Sequence, residues 1–482
     1  MFEFDLTLPE RGSRSLIRSL HQQLKAAILA GRLGPAHRLP SARRFAEQFG
    51  LSRNSATTIY ELLQAEGLVE AHHGSGYFVV AQLPAELLSA RSGRDAAPPP
   101  AFAHLASAPE PARVADTQIL YDFQLGVPES PQGRFLETWR SLSARALRGI
   151  TKERLQYGPP EGEADLRAAI ATYVSAARAV VCDAGDIVVT NGAQQAFDLM
   201  ARALVTPGET VVAVENPGYQ PMIRLFRAAG ARIVPVPVDA EGLRVDLLPP
   251  EARIVCVTPA HQFPLGGILP LERRQALMRF AYQNGAVVIE DDYDGEFRFD
   301  RRPLDALQML DKTGAVFFVG TFSKTLFPGL RLGYAIAPPW ARERLIRLKQ
   351  DSDWHCALPA QHTLAAFIRE GHMARHVRRM RDLYAERRAL IETRLQGPLS
   401  PWLDLVPGSA GLHVSALLRQ PRDDLALAAD LRRAGPRCEA LSAYAAAPGA
   451  QPGLAFGYGA IGIERIAAGL DLLERVLQTD TQ

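Results

Sequence analysis

Between Tyr121 and Tyr334 short apolar runs alternate with amphipathic stretches of helical length, and each run stops at polar or glycine residues. The runs include Ile187–Thr190, Thr210–Val214, Arg253–Val257, Ala286–Ile289 and Phe317–Val319. Such continuous apolar segments suit strands buried on both faces, and their alternation with helices predicts an α/β domain with a mainly parallel sheet. In that architecture ligands gather beyond the carboxyl ends of the strands. The residues that follow each run are therefore where chemistry is sought.

After Phe317–Val319 come Gly320, Thr321, Phe322, Ser323 and Lys324, with Arg331 seven residues on. A lysine in a dry pocket loses solvation as a cation, so its pKa falls and it can bond to an aldehyde. The hydroxyls of Thr321 and Ser323, with the guanidinium fork of Arg331, suit a phosphate dianion. A solvated surface turn is the competing reading. It is weakened by scarcity, since Lys25, Lys152, Lys312, Lys324 and Lys349 are the only lysines among 54 basic residues. After Ile187–Thr190, the turn Asn191-Gly192-Ala193-Gln194 opens a helix whose free amides can seat a phosphate. After Ala286–Ile289 comes the acidic stretch Glu290-Asp291-Asp292-Tyr293-Asp294. A carboxylate there can keep a pyridine nitrogen protonated, and a phenol two residues on can bond a ring hydroxyl. A solvated turn or a metal site is the competing reading of so many acids.

The first 80 residues have a different character. From Arg11 to Tyr60 there are nine Arg or Lys residues against one acid, Glu47. That bias predicts an electropositive face, although the whole chain carries a net charge of only +2. Leu16, Leu20, Leu24 and Ile28 are spaced as one helix face ending at Gly31. Leu39–Gly50 reads as an N-capped second helix with a glycine stop, and Ser52 opens a third helix to about Glu66. Residues 68–80 then read as a hairpin. Two helices joined through Gly50 form a helix-turn-helix pattern, with Ser52, Arg53, Asn54 and Thr57 at the start of the recognition helix. Between Gln82 and Thr117 the chain is rich in Ala, Pro, Ser and Arg, and reads as an extended linker. The expected division is thus 1–80, 81–117 and 118–482.

Four separated cysteines (Cys182, Cys256, Cys356, Cys438) carry no metal-type spacing and suit a reducing compartment. No signal-like start and no 18-residue apolar run occur, so a cytoplasmic protein without membrane spans is expected.

Leu39-Pro40-Ser41-x-Arg43, Leu51-Ser52-Arg53-Asn54, Glu66-Gly67-Leu68 and Gly74-Ser75-Gly76-Tyr77-Phe78-Val79 resemble the winged helix-turn-helix of GntR-type bacterial regulators. The resemblance implies that Arg43, Ser52, Arg53, Asn54 and Thr57 face double-stranded operator DNA, with His73 and Gly74 on the wing. Gln156-Tyr157-Gly158, Gly192-Ala193-Gln194, Glu215-Asn216-Pro217-Gly218-Tyr219, Asp291-Asp292-Tyr293 and Ser323-Lys324 with Arg331 resemble fold-type I aminotransferases. That resemblance implies pyridoxal phosphate as cofactor, a small C-terminal α+β subdomain and a homodimer. Lys324 would bond the cofactor, Asp291 would pair with its ring nitrogen, Tyr293 with its phenolic oxygen, and Tyr219 would stack on the ring. Ala193, Gln194, Thr321, Ser323 and Arg331 would hold the phosphate, and Tyr157 would reach the neighbouring subunit's site. The fusion of the two modules resembles the MocR family of regulators.

Two departures bear on function. Enzymes of the fold carry Asn-Pro-x-Gly beside the ring, whereas Thr258–Gly266 contains no Asn; His261 or Gln262 must stand in, or the contact is absent. Ala455 occupies the place expected of the arginine that clamps a substrate carboxylate. The expectation is therefore a regulator responding to pyridoxal phosphate, of the kind that controls vitamin B6 genes, rather than an enzyme with turnover. A regulator answering to an amino acid or amine, a working aminotransferase, and a pure dimerisation scaffold are the alternatives.

Overall fold

The computed structural model describes residues 16–72, 75–81, 119–152, 155–299 and 305–479. His73, Gly74 and nearly all of the expected linker lie outside the described residues. The chain divides into two compact units, Met1–Val114 and Ala115–Gln482.

The first unit holds helices Leu16–Leu29, Ala42–Phe49 and Arg53–Ala65 and a hairpin of Val69–His72 with Gly76–Val79. Ser41 and Ser52 cap the second and third helices, each accepting a bond from the amide three residues on. Gly50 ends the second helix in the left-handed region, φ 64°, which glycine adopts without steric cost. Leu20, Leu24 and Ile28 pack on Phe45, Ile59, Tyr60 and Leu63, and the hairpin closes the core with Val69 and Val79. Burial of each large apolar side chain contributes about 1.5–3 kcal/mol, enough to fix so small a unit.

The second unit is built on an eight-stranded sheet. In spatial order its strands are Ile187–Thr190, Gly333–Ile336, Val316–Thr321, Val287–Asp292, Ile254–Val257, Val211–Asn216, Arg232–Asp239 and Gly242–Leu243. The run from Val316–Thr321 to Arg232–Asp239 is parallel, and Gly333–Ile336 is antiparallel to both its neighbours. This is the expected mainly parallel α/β sheet. Helices Ala193–Leu204, Gln220–Ala228 and Pro339–Asp353 cover one face through Phe197, Phe226 and Leu345, while Leu277 and Ala281 of Leu271–Asn284 belong to a second core with Val255 and Val288. A smaller four-stranded sheet of Leu403–Leu405, His413–Leu418, Gly453–Gly457 and Glu439–Ala440 forms the C-terminal lobe. Tyr121–Asp122 joins that lobe by pairing in parallel with Pro436–Arg437. No helix among the described residues is long and apolar enough to cross a membrane.

Candidate functional site

A cavity of about 370 Å³ opens where the central strands end. Lys324 enters from the turn after Val316–Thr321, and Asp291 from the last residues of Val287–Asp292. Ala193, Gln194, Tyr219, Tyr293, Thr321, Ser323 and Arg331 complete the convergence; all nine line one wall or another of the same space. Tyr157 does not line it. Tyr157 is 75% exposed and stacks on Trp354 at 4.5 Å.

The electrostatics are those of a site built for a charged guest. Lys324 Nζ donates to the Gly126 carbonyl at 2.7 Å, and burial pulls its pKa down despite Asp294 and Asp291 nearby. Burial and the neighbouring Asp292 and Asp294 push the Asp291 carboxyl well above the usual carboxylate range. Its Oδ1 is buried with no partner, which fits a ring N–H arriving from the cavity. At the opposite end, helix Ala193–Leu204 presents its amino terminus, and Arg331 Nη2 donates to the Asn191 carbonyl at 2.9 Å. Arg331 itself sits at φ 52°, an uncommon conformation for a residue with a side chain. Gly192 lies at φ 82°, and a Cβ there would come within 2.8 Å of Arg331 Nη2. Gly192→Ala should therefore cost about 1–3 kcal/mol locally and displace the guanidinium. A fluorescence titration should show roughly tenfold or more weaker binding of phosphate-bearing cofactor, and undiminished affinity would remove Arg331 from the phosphate end.

The structure resolves the missing asparagine. Neither His261 nor Gln262 lines the cavity; the side chain that does is Phe263, immediately before Pro264. Gln262 is turned inward, its amide donating to the carbonyls of Pro217 at 3.0 Å and Phe263 at 2.6 Å. His261 Nδ1 lies 2.9 Å from the Tyr293 hydroxyl and 3.1 Å from Asp294, and burial pushes its pKa down to about 3. Burial thus favours the neutral imidazole, which touches two cavity-lining rings, Tyr293 and, at 4.5 Å, His413. Of the three expected outcomes, the absent polar contact is the one these positions match; Phe263 lines the cavity there, packing edge-on against Tyr219 and Tyr293.

Gly126, Phe197, Phe263, His413 and Tyr444 also line the cavity and were not singled out from sequence. His413 belongs to the smaller sheet, where strand Gly453–Gly457 runs beside it. Ala455 stands opposite Ser415, whose hydroxyl donates to the Pro264 carbonyl at 2.6 Å. Residues two apart on a strand share a face, so Ala455 lies on the face that carries His413. Ala455 is fully buried and does not itself line the cavity, so this face offers a methyl group and no cation at that position.

In the first unit Arg43, Ser52, Arg53 and Asn54 are exposed and Thr57 is partly buried. Arg43 pairs with Glu47 at 3.0 Å. The Ser52 hydroxyl accepts from Ser55 N at 3.0 Å, so it positions the recognition helix as its cap.

The chain matches the family Bacterial regulatory proteins, gntR family over residues 16–79 and Aminotransferase class I and II over residues 121–438. It is 37% identical over 460 residues to the probable rhizopine catabolism regulatory protein MocR of Rhizobium meliloti, covering 95% of this chain and 92% of that protein. The chain belongs to the MocR family of regulators. A second MocR-type relative, the pyridoxine biosynthesis transcriptional regulator PdxR of Corynebacterium glutamicum, is 32% identical over 92% of each chain. Among solved structures, LysN, the α-aminoadipate aminotransferase of Thermus thermophilus, superposes with a TM-score of 0.68 at 29% identity, covering 75% of this chain and 92% of that one. Kynurenine aminotransferase from Pyrococcus horikoshii gives a TM-score of 0.70 at 23% identity, covering 76% and 92%, and shows the shared fold. In this MocR-family chain, then, a GntR-type DNA-binding module precedes a domain with the aminotransferase fold.

For the DNA-binding module, Arg53→Ala should weaken duplex binding and, if it loses a phosphate contact, lower the salt slope by about one unit. The visible absorbance of cofactor-loaded protein should be untouched. Equal DNA affinity across a salt series would take Arg53 off the interface.

Proposed function

We propose that this protein is a transcription regulator whose aminotransferase-like domain binds pyridoxal phosphate, and that occupancy by the cofactor is the signal that alters DNA binding. The observation that carries the reading is a pair of facts about one cavity. Lys324, Asp291, Tyr293 and Arg331 converge on it, yet Arg331 is the one arginine among its lining residues, and Ala455 stands on the lobe where a carboxylate clamp is expected.

The residues fit the group. Asp291, with its unpartnered Oδ1, would take the ring nitrogen, and Gly192 leaves room for Arg331 beside the phosphate. Ala193, Gln194, Thr321 and Ser323 would supply further donors, and Tyr219 a flat face. Bound pyridoxal phosphate supplies an aldehyde for a lysine amine and a ring that withdraws electrons from that carbon. The chain's own part is to hold Lys324 dry with its pKa lowered by burial, to keep Asp291 beside the ring nitrogen and to exclude water with Phe197, Phe263 and Tyr444. Tyr293, tied to the His261 carbonyl at 3.0 Å, keeps its phenol in one place. Exposed Tyr157 would serve the neighbouring subunit of a homodimer.

The PdxR relative's name refers to pyridoxine biosynthesis, which supports control of vitamin B6 genes by this chain as well. The reading is tested by mapping the genomic sites bound by the full-length protein with and without pyridoxal phosphate. Sites beside vitamin B6 genes whose occupancy depends on the cofactor are expected. Sites elsewhere, indifferent to it, would overturn the reading.

A further inference from the structure

We propose that the groove bounded by Arg134, Arg375 and Arg379 is a second ligand site, for a small aromatic anion carrying a phosphate or carboxylate. It goes beyond the cofactor reading and uses none of the residues assigned there. The groove encloses about 240 Å³ between the start of helix Gly133–Arg148 and the start of helix His372–Gln396. Its walls are Arg134, Phe135, Thr138, Phe367, His372, Arg375, His376 and Arg379. The positive charge comes from the three arginines, since burial lowers the His376 pKa to about 4, and the Glu370 carboxylate lies 3.6 Å from His372 Nε2.

Three observations point to an anion. Arg134 and Arg379 have no carboxylate partner among the described residues, so their charge is left for a guest. Arg375 donates to the Glu370 carbonyl at 3.0 Å and lies 3.0 Å from His372 Nδ1, which aims the guanidinium without neutralising it. Both helices begin here with no side-chain cap and no acid in the first turn, so their free amides add partial positive charge to that of the side chains. Guanidinium forks match phosphate and carboxylate oxygens in pairs.

The floor points to a flat body on that anion. Phe135 lies 5.3 Å from Phe367, and His372 stacks on Phe367 at 5.5 Å with a 28° tilt. Ring faces and edges of this kind favour an aromatic guest. The site also abuts the cofactor turn from behind. His376 Nε2 lies 2.9 Å from the carbonyl of Thr325, the residue after Lys324, and Phe135 meets Phe327 edge-on at 6.4 Å. Occupancy of the groove thus bears on the segment that holds Lys324.

The test uses the full-length protein loaded with pyridoxal phosphate, so that the first cavity is filled. Phenyl phosphate, benzoate and inorganic phosphate are titrated by calorimetry, with the fluorescence of Trp139, 5.5 Å from Phe367, as a second readout. Saturable binding of phenyl phosphate or benzoate, tighter than that of inorganic phosphate, is expected. Arg134→Gln and Arg379→Gln, singly and together, should weaken it, the pair by about tenfold or more, with the visible absorbance per chain retained. Both side chains are exposed, so the fold should survive. No saturable binding at millimolar concentration, or binding undiminished in the double variant, overturns the proposal. So does weaker binding of a nonspecific duplex by the variants without any phenyl phosphate binding, which would assign these arginines to DNA.

Discussion

Lys324→Ala is expected to abolish the visible absorbance of the cofactor-loaded protein and the borohydride-stable adduct, while leaving the fold in place. Lys324 is the lysine that lines the cavity, and its amine is held by one carbonyl, that of Gly126. Lys324 lines the cavity rather than the apolar core, so truncating it empties no core. The melting temperature without cofactor should move by a few degrees at most, since a typical exposed-edge truncation costs on the order of 1 kcal/mol. The stabilisation that wild-type protein gains from saturating cofactor should largely vanish, because a ligand stabilises only through its affinity for the native state. A variant that stays yellow and still carries a reducible lysine adduct would place the chemistry on another lysine.

The second large effect concerns specificity. Ordinary amino acids should leave the visible spectrum of the wild-type protein nearly unchanged at concentrations that transform the spectrum of an aminotransferase. The α-carboxylate of an amino acid needs a bidentate partner for both affinity and orientation. Arg331 is engaged beside Asn191 at the end proposed for the phosphate, and Ala455 offers only a methyl group on the lobe that carries His413. Ala455→Arg should introduce spectral changes with amino acids that the wild type lacks, provided the cofactor band shows the variant folded. A single amino acid that alters the wild-type spectrum strongly would mean that another arginine clamps it. Arg224 and Arg227, past Tyr219, are then the first to replace; burial pushes the Tyr219 pKa up to about 12, and Arg224 is near enough to offset part of that rise.

Much of this site could be read along the chain because parallel sheets place their chemistry at strand ends. Lys324, Asp291, Thr321 and Gly192 each follow an apolar run, so local pattern and local role coincide. Gly126, His413 and Tyr444 belong to no such pattern. They reach the cavity because Tyr121–Asp122 pairs with Pro436–Arg437 and because His413–Leu418 packs its face on the Pro264 carbonyl. Contacts of that kind depend on pairing between distant segments, which residue spacing does not encode. The stretch before Gly266 left its alternatives open for a different reason. Spacing does not tell which way a side chain turns: Gln262 is drawn inward by the Pro217 carbonyl, and His261 by Asp294 and Tyr293. Phe263 is left facing the cavity. The helix-turn-helix was legible from Ser41, Gly50 and Ser52, since caps and stops are properties of single residues.

The central claim is a coupling between cofactor occupancy and DNA binding, and one titration tests it most directly. Duplex fragments recovered by selection with the full-length protein are titrated into cofactor-free and cofactor-saturated protein at one salt concentration. A ligand shifts such an equilibrium only by its differential affinity for the two states, and a tenfold change in DNA affinity corresponds to about 1.4 kcal/mol of coupling. The expected result is a change of about that size or larger in wild-type protein and none in Lys324→Ala, with amino acids adding nothing. Equal DNA affinity with and without pyridoxal phosphate, in protein whose absorbance shows the site filled, would contradict the account.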